Sequence, residues 1–493
     1  MDSDGDRFKS RRGWLMAVLL FVIIVGTGLA AFQLGLVRGA SSVESDPGFE
    51  LDSPESLEEE WSIFKEVLER LQSSYLYPLD PVEIVRGAVR GVVEALGDPR
   101  TGFYDQQEFE NFMIQTTGSF GGIGVRIVEV DSEIIVFETI PDSPAAAAGV
   151  FPGDRLCRAG GQLLTGEGLE HAAEILRGEK GSSVTLTIKR PGREEELELT
   201  LERDEVKVET VFSRWVEAGL GYIRIDSFDS RTGASFAGQL LLLETAGLRK
   251  GLILDLRDNP GGLVEEAVKV AKLIVPEGEI TRLVGRGGKV RDIHYSNAQE
   301  KDYPILVLVN EESASAAEIL AGALQESGAV LVGVKTYGKA TVQHLEKLTG
   351  GGALLLTVAR YLTPSGKDID GKGLEPDVTV EMPSLMKNYR YFLPGRLSRD
   401  DYGADVKLLQ EMLAELGYQC GREGCLDEAT SAALDDFQTA AGLETTGEFD
   451  DLTWINLREA FEKIVRQRDP QLHRAVELLK TPGKLALVEG KNN

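Results

Sequence analysis

The spacing of hydrophobic positions changes several times along the chain, and each change marks a boundary. Trp14–Leu36 is mostly apolar and carries no charge over 23 residues. At ~1.5 Å per residue the run reaches ~34 Å, enough to cross a hydrocarbon core of ~30 Å. Arg7, Lys9, Arg11 and Arg12 precede it. That bias keeps residues 1–12 cytoplasmic, makes 13–37 a single transmembrane anchor and places the rest outside. A cleaved secretory signal, with an apolar stretch of ~7–15 residues, is the alternative, and it also exports the body of the protein. Residues 38–56 are small, polar and acidic, and predict a linker.

From Leu57, apolar residues recur at three- and four-residue steps (Trp61, Phe64, Val67, Leu68, Leu71), and again from Ile84 to Leu96 after a Pro-containing turn. This predicts a small helical unit over 57–115. Residues 116–203 alternate apolar and polar positions between glycine-rich turns, predicting a β-rich module with helices at Ser143–Gly149 and Glu167–Arg177. Strand and helix patterns then alternate through 204–390, with candidate strands at 221–226, 251–257, 304–310, 329–334 and 353–363. Helices fit at 231–247, 262–274 and 315–326. The unbroken apolar strands predict an α/β core whose sheet is covered on both faces. Residues 391–402 form a linker. Residues 403–460 form a helical module with an internal echo, Gly424…Thr430…Leu434 against Gly447…Thr453…Leu457, and 461–493 form a C-terminal tail. The fold class is therefore multidomain α/β.

Two segments carry candidate chemistry. Asn310–Ile319 joins an apolar strand to an Ala-rich helix and holds Ser313 and Ser315 where unpaired helix N–H groups gather. A serine there is either a helix cap or a nucleophile facing an oxyanion site. In the extended run Gly338–Gln343, Lys339, Thr341 and Gln343 point to one side. A lysine buried in an apolar sheet loses hydration and becomes a neutral base able to activate a serine, and Gln343 would orient it. The glycines of Asp255–Gly262 present N–H groups of Gly261 and Gly262 as partners for that of Ala316 in an oxyanion hole.

Composition narrows the options. Eighty acidic against 53 basic residues, net −27, argue against a nucleic-acid binder. Four scattered histidines and three cysteines offer no Cys-rich or HExxH metal site, so no metal and no cofactor is expected.

The runs NEESASAAEILAGALQESGAVLVGVKTYGKATVQ, LILDLRDNPGG, GKGLEPDV, GAVRGVVEALGDPRTGFY and GSFGGIGV together resemble the carboxyl-terminal processing, or tail-specific, proteases over about residues 57–381. The resemblance implies a Ser–Lys endopeptidase with Ser315 as nucleophile, Lys339 as base and Gln343 in support. Ala340 and Ala317 stand where that family often has Gly and Ser. Residues 116–203 resemble a PDZ domain, which implies peptide carboxylate capture by Gly122, Ile123, Gly124 and Val125, with Arg177 coupling binding to activation. Residues 403–458 resemble a peptidoglycan-binding domain, although Cys425-Leu426-Asp427 departs from its usual pattern. Cys420 and Cys425, five apart in a loop, are candidates for a local disulfide outside the cell.

The expected protein is a single-pass extracytoplasmic endopeptidase of a bacterial surface or periplasm. Its expected partners are protein or peptide C-termini, cell-wall peptidoglycan, the membrane and a second copy in a homo-oligomer, with no nucleic acid. The alternative is a catalytically silent scaffold working only through its peptide- and wall-binding modules.

Overall fold

The computed structural model describes residues 54–106, 108–109, 112–113, 119–389 and 396–481. The expected anchor at 13–37 lies outside the described residues. Among the described residues no helix is long and apolar enough to cross a membrane.

Helices α1 (Pro54–Ser74) and α2 (Pro81–Glu94) open the fold. Asp80 caps α2 by accepting from Val82 N, with Pro81 at the first helical position. Strand β1 (Gly102–Tyr104) then joins a distant antiparallel sheet.

The next unit starts with β2 (Ser119–Gly122), β3 (Val125–Val130), β4 (Glu133–Thr139), β5 (Arg155–Ala159) and β6 (Gln162–Leu163). Helix α3 (Leu169–Leu176) precedes β7 (Ser183–Lys189), β8 (Leu197–Glu202) and β9 (Asp204–Lys207). The sheet runs β3-β4-β5-β7-β8, with β6 beside β5, while β2 pairs with β9. Alternation buries Ile134, Val136, Leu156, Leu186 and Ile188 on one face.

The core sheet runs β10 (Val211–Glu217), β11 (Leu220–Ile225), β12 (Gly251–Asp255), β15 (Ile305–Val309), β16 (Val330–Gly333) and β19 (Val378–Thr379), parallel from β11 onward. Helices α4 (Thr232–Thr245), α5 (Val264–Ile274) and α6 (Ala316–Glu326) cover the face carrying Ile223, Leu252, Leu254, Val307 and Val309. Two features depart from the sequence-based expectation. Residues 353–362 leave the parallel sheet and form β18 of a separate antiparallel one with β1, β13 (Gly278–Val284), β14 (Val290–Ser296) and β17 (Thr341–Lys347). Also, residues 461–468 and 470–480, expected to be part of a tail, are helical.

The C-terminal module consists of α7 (Ala404–Glu415), α8 (Glu428–Ala441) and α9 (Asp451–Arg468), followed by α10 (Pro470–Lys480). The internal echo has a physical basis. Gln410 receives Gly424 N and donates to Cys425 O and Thr430 Oγ1; Gln438 receives Gly447 N and donates to Glu448 O and Thr453 Oγ1. Each buried amide closes one loop onto the next helix. The disulfide expectation is corrected here, because Cys420 and Cys425 are free thiols. Gln410 already fastens the loop between them. Residues 396–402, expected to be linker, pair with the module through Leu397–Phe449 and Tyr402–Cys425.

Candidate active site

Ser315 sits at the N-terminus of α6 with φ 55° and ψ −117°. Non-glycine residues rarely hold a positive φ, and the strain of such a conformation collects at functional positions. The small neighbours Ala314, Ala316 and Ala317 let the chain turn this sharply. Gly261 (φ 104°) packs directly against the turn. A Cβ there would lie 2.7 Å from Ser315 Cβ and 3.0 Å from Ala316 N, so glycine is required.

One buried carboxylate organises the surroundings. Glu318 accepts from Ser315 N (3.0 Å), Lys339 N (2.8 Å), Gly338 N (2.8 Å) and Thr336 Oγ1 (2.5 Å). Burial pushes its carboxyl group up, and these four donors oppose that shift. A second tie is Tyr361 on β18, whose hydroxyl is shared between Ser315 O (3.0 Å) and Lys339 O (2.6 Å). Burial raises the phenol well above its usual range, so it stays a donor. The α6 turn and the segment bearing Lys339, just before β17, are thus clamped together twice. Among the described residues no hydrogen bond joins Ser315 Oγ to Lys339 Nζ.

Lys339 is 5% exposed. Burial lowers its ammonium to about 8, the nearby Arg100 cation adds to the effect, and Glu318 opposes it. Arg100 is held by Thr341 Oγ1 (2.8 Å) and Asp370 Oδ1 (2.9 Å), and the same Asp370 oxygen accepts from Ala340 N (3.0 Å). Gln343, 4% exposed, donates to Thr341 Oγ1 (2.9 Å) and Thr357 Oγ1 (3.3 Å).

The Asp258–Gly262 loop lies against Ser315. Gly261 is not the oxyanion donor the sequence suggests, because its N–H already donates to Asn259 Oδ1 at 2.8 Å. Among the described residues the N–H groups of Ala316 and Gly262 have no acceptor. Ser313 is fully buried, accepts from Asn310 N and donates to Leu256 O, which fits a structural lock. Among the described residues no group of three or more His, Cys, Asp or Glu is placed to hold a metal ion.

Comparison with known proteins agrees with this architecture. Residues 219–380 match peptidase family S41, residues 136–190 a PDZ domain and residues 402–457 a peptidoglycan binding domain. The carboxy-terminal processing protease CtpA of Bacillus subtilis strain 168 is 33% identical over 464 residues, covering 94% of this chain and 98% of that protein. The chain belongs to peptidase family S41. CtpB of the same organism is 33% identical over 419 residues, covering 83% of this chain and 87% of that protein. A solved structure of the photosystem II D1 C-terminal processing protease is 31% identical, covers 66% of this chain and 88% of that one, and gives a TM-score of 0.41. The protein is accordingly a serine-type hydrolase of the carboxy-terminal processing kind.

In the PDZ unit of this S41 protein, Ile123 O accepts from Ala145 N and Gly124 O from Ile140 N. Among the described residues the N–H group of Gly124 has no acceptor. Gly124 has φ 82°, and a Cβ there would collide with Ser143 at 2.2 Å. Val125 starts β3, and Gly122 bridges to Arg177, which follows α3. Burial lowers the Arg177 guanidinium from its usual value, and it lies 5.9 Å from the Phe120 ring centroid.

Sequence reasoning assigned no role to Arg100, Tyr361 or the threonine pair Thr341 and Thr357. Arg100 lay within the recognised GDPRTGFY run, which was a usable signal; Tyr361 stood in an apolar strand and gave none.

Proposed function

We propose that the chain is a membrane-anchored extracytoplasmic endopeptidase that cleaves with a Ser315–Lys339 dyad supported by Gln343. Ser315 Oγ attacks the scissile carbonyl carbon while the neutral Lys339 amine takes the hydroxyl proton. The N–H groups of Ala316 and Gly262 receive the developing oxyanion at the positive end of α6. Lys339 returns the proton to the leaving amine as the C–N bond breaks, leaving an acyl-enzyme. Lys339 then takes a proton from water as it attacks the ester and passes it to Ser315 Oγ as the acyl C–O bond breaks, which frees the serine and an acid that ionises to the carboxylate in solvent. Gln343 donates to Thr341 Oγ1, which also accepts from Arg100, and so helps hold the cation that keeps the lysine's ionisation low.

The observation that carries this reading is the strained Ser315 turn clamped, through Glu318 and Tyr361, to a lysine whose amine burial lowers to about 8. The direct hydroxyl–amine contact would form on substrate binding, as catalytic hydrogen bonds of unliganded enzymes often do.

The PDZ unit would receive substrate C-termini on the Gly122–Val125 loop and the free edge of β3, with Arg177 linking occupancy to activity. The C-terminal module would hold the protein to cell-wall peptidoglycan, and residues 13–37 would anchor it in the membrane with residues 1–12 cytoplasmic. Trp61, Phe64 and Val67 on α1, Val85 and Val92 on α2, and Leu96 just beyond it are exposed, an apolar surface that supports burial against a second copy.

Ser315→Ala, assayed on an unstructured peptide ending in an apolar residue, should lose at least about 10³-fold in kcat with an unchanged circular dichroism spectrum. Retained turnover would remove the dyad.

A further inference from the structure

The C-terminal module touches both the PDZ unit and the catalytic loop. At one end of α9, the Trp454 ring lies 5.4 Å from Phe137, Arg458 stacks 4.5 Å from the same ring and Asp451 pairs with Arg155 at 2.9 Å. Val128 and Phe137 of the β3–β4 hairpin pack into the core of the module. Leu452 fills the space where a Cβ at Gly153 would fall, 2.2 Å away.

At its other end, α9 gives way to Asp469 and α10. Leu472, Ala475 and Leu478 pack on Tyr222, Ile253, Leu306, Leu308, Val330 and Val332, the core-sheet face left bare by α4–α6. Asp469 caps α10 by accepting from Leu472 N, and its Oδ2 lies 2.8 Å from Arg257 Nη2. Gln471 Oε1 accepts from Arg257 Nη1 at 3.0 Å, while Gln471 Nε2 donates to Val380 O at 2.8 Å. The Arg257 guanidinium is buried and also grips Asp255, which is fully buried and accepts from Tyr222 OH at 2.7 Å. Asp255 holds Arg257 from within its own segment, so among the described residues only Asp469 and Gln471 fix it against a separate element.

Arg257 opens the loop that ends at Gly262. The next residues are set one by one: Asp258 N donates to Asn310 Oδ1, Asn259 Nδ2 to Ile225 O, and Ala314 N to Asn259 O. Arg257 is joined directly to Asp258, so its position sets where the loop beside Ser315 begins. A displacement of ~1 Å at such a loop can cost ~10²-fold in rate.

We propose that Asp469 and Gln471 are positioning residues for catalysis. They hold Arg257, and through it the Asp258–Gly262 loop, so the C-terminal module braces the catalytic centre from a base it shares with the PDZ unit. This rests on the Ser315 and Gly262 roles proposed above.

The test uses the full chain. In Asp469→Ser the helix cap survives but the reach and charge toward Arg257 are lost. The expected result is a fall in kcat of about tenfold to hundredfold with KM within about twofold, measured per folded molecule well below the melting temperature. Asp469→Asn keeps both the cap and an oxygen acceptor for Arg257, and should recover most of the rate. Gln471→Leu leaves the cap intact, should lower kcat in the same way, and decides the matter if Asp469→Ser does not fold. If both variants keep kcat within about twofold while Ser315→Ala is inactive, the brace is wrong and the dyad stands. If Ser315→Ala remains active, the dyad itself has failed.

Discussion

The lowered ionisation of Lys339 makes a quantitative claim about rate. With an amine near 8, about a tenth of molecules carry the neutral base at pH 7, about half at pH 8 and about nine-tenths at pH 9. The kcat/KM for a peptide without titrating groups should therefore rise about tenfold from pH 6 to 7, rise again by about tenfold from pH 7 to 9, and then level off. The groups that set this midpoint face the lysine from different elements. Burial is the largest cause, Arg100 before β1 pushes in the same direction, and Glu318 on α6 pushes back. Arg100→Met removes one cation and should move the midpoint to higher pH, lowering the rate at pH 7 more than at pH 9. The assay is a pH series of initial rates on a quenched fluorescent peptide, with circular dichroism at each pH to confirm folding. A profile flat from pH 6 to 9, or one centred near 6.5 and indifferent to Arg100→Met, would refute Lys339 as the base.

Two further outcomes follow from the same geometry. Lys339→Met should abolish turnover yet stabilise the fold. In the folded chain the amine loses its proton above about 8, in the unfolded chain only above about 10.4, so at pH 7 burial costs roughly 3 kcal/mol that methionine does not incur. The gain should shrink as pH rises through that window and vanish above it; urea midpoints at pH 7 and pH 9.5 read it directly, and a variant less stable than its parent at pH 7 would contradict it. Gly262→Ala should lower kcat by about 10²–10³-fold, because φ is 137° and a Cβ would meet Phe228 O at 2.2 Å, displacing the N–H beside Ser315. Peptide kinetics on folded variant test this, and turnover near that of the parent would place the oxyanion elsewhere.

The Ser315 and Lys339 segments were legible because each is local. A strand end opening into an Ala-rich helix and a lysine alternating with Thr341 and Gln343 both show in a few consecutive residues. What pairs them was not legible. Glu318 reaches Lys339 across 21 positions, Tyr361 reaches Ser315 across 46, and Arg100 reaches Thr341 across 241. The choice between Gly261 and Gly262 fails for a related reason. Both glycines look equally open in the sequence, and only the path of the loop shows that the Asn259 side chain takes the first N–H.

The role of α10 was implicit in the strands themselves. Every residue of β12 is buried, which requires cover on both faces of the core sheet. Each of α4, α5 and α6 packs on the same face, so the opposite one, with Ile253, Leu306 and Leu308, needs a helix from outside the alternating pattern. After α9 a proline starts a new helix whose residues 472, 475 and 478 are apolar at three-residue steps. Taken alone, that spacing fits any surface helix. Taken with an uncovered sheet face, it assigns the segment to the catalytic core, and it makes the wall-binding module continuous with the enzyme it would tether.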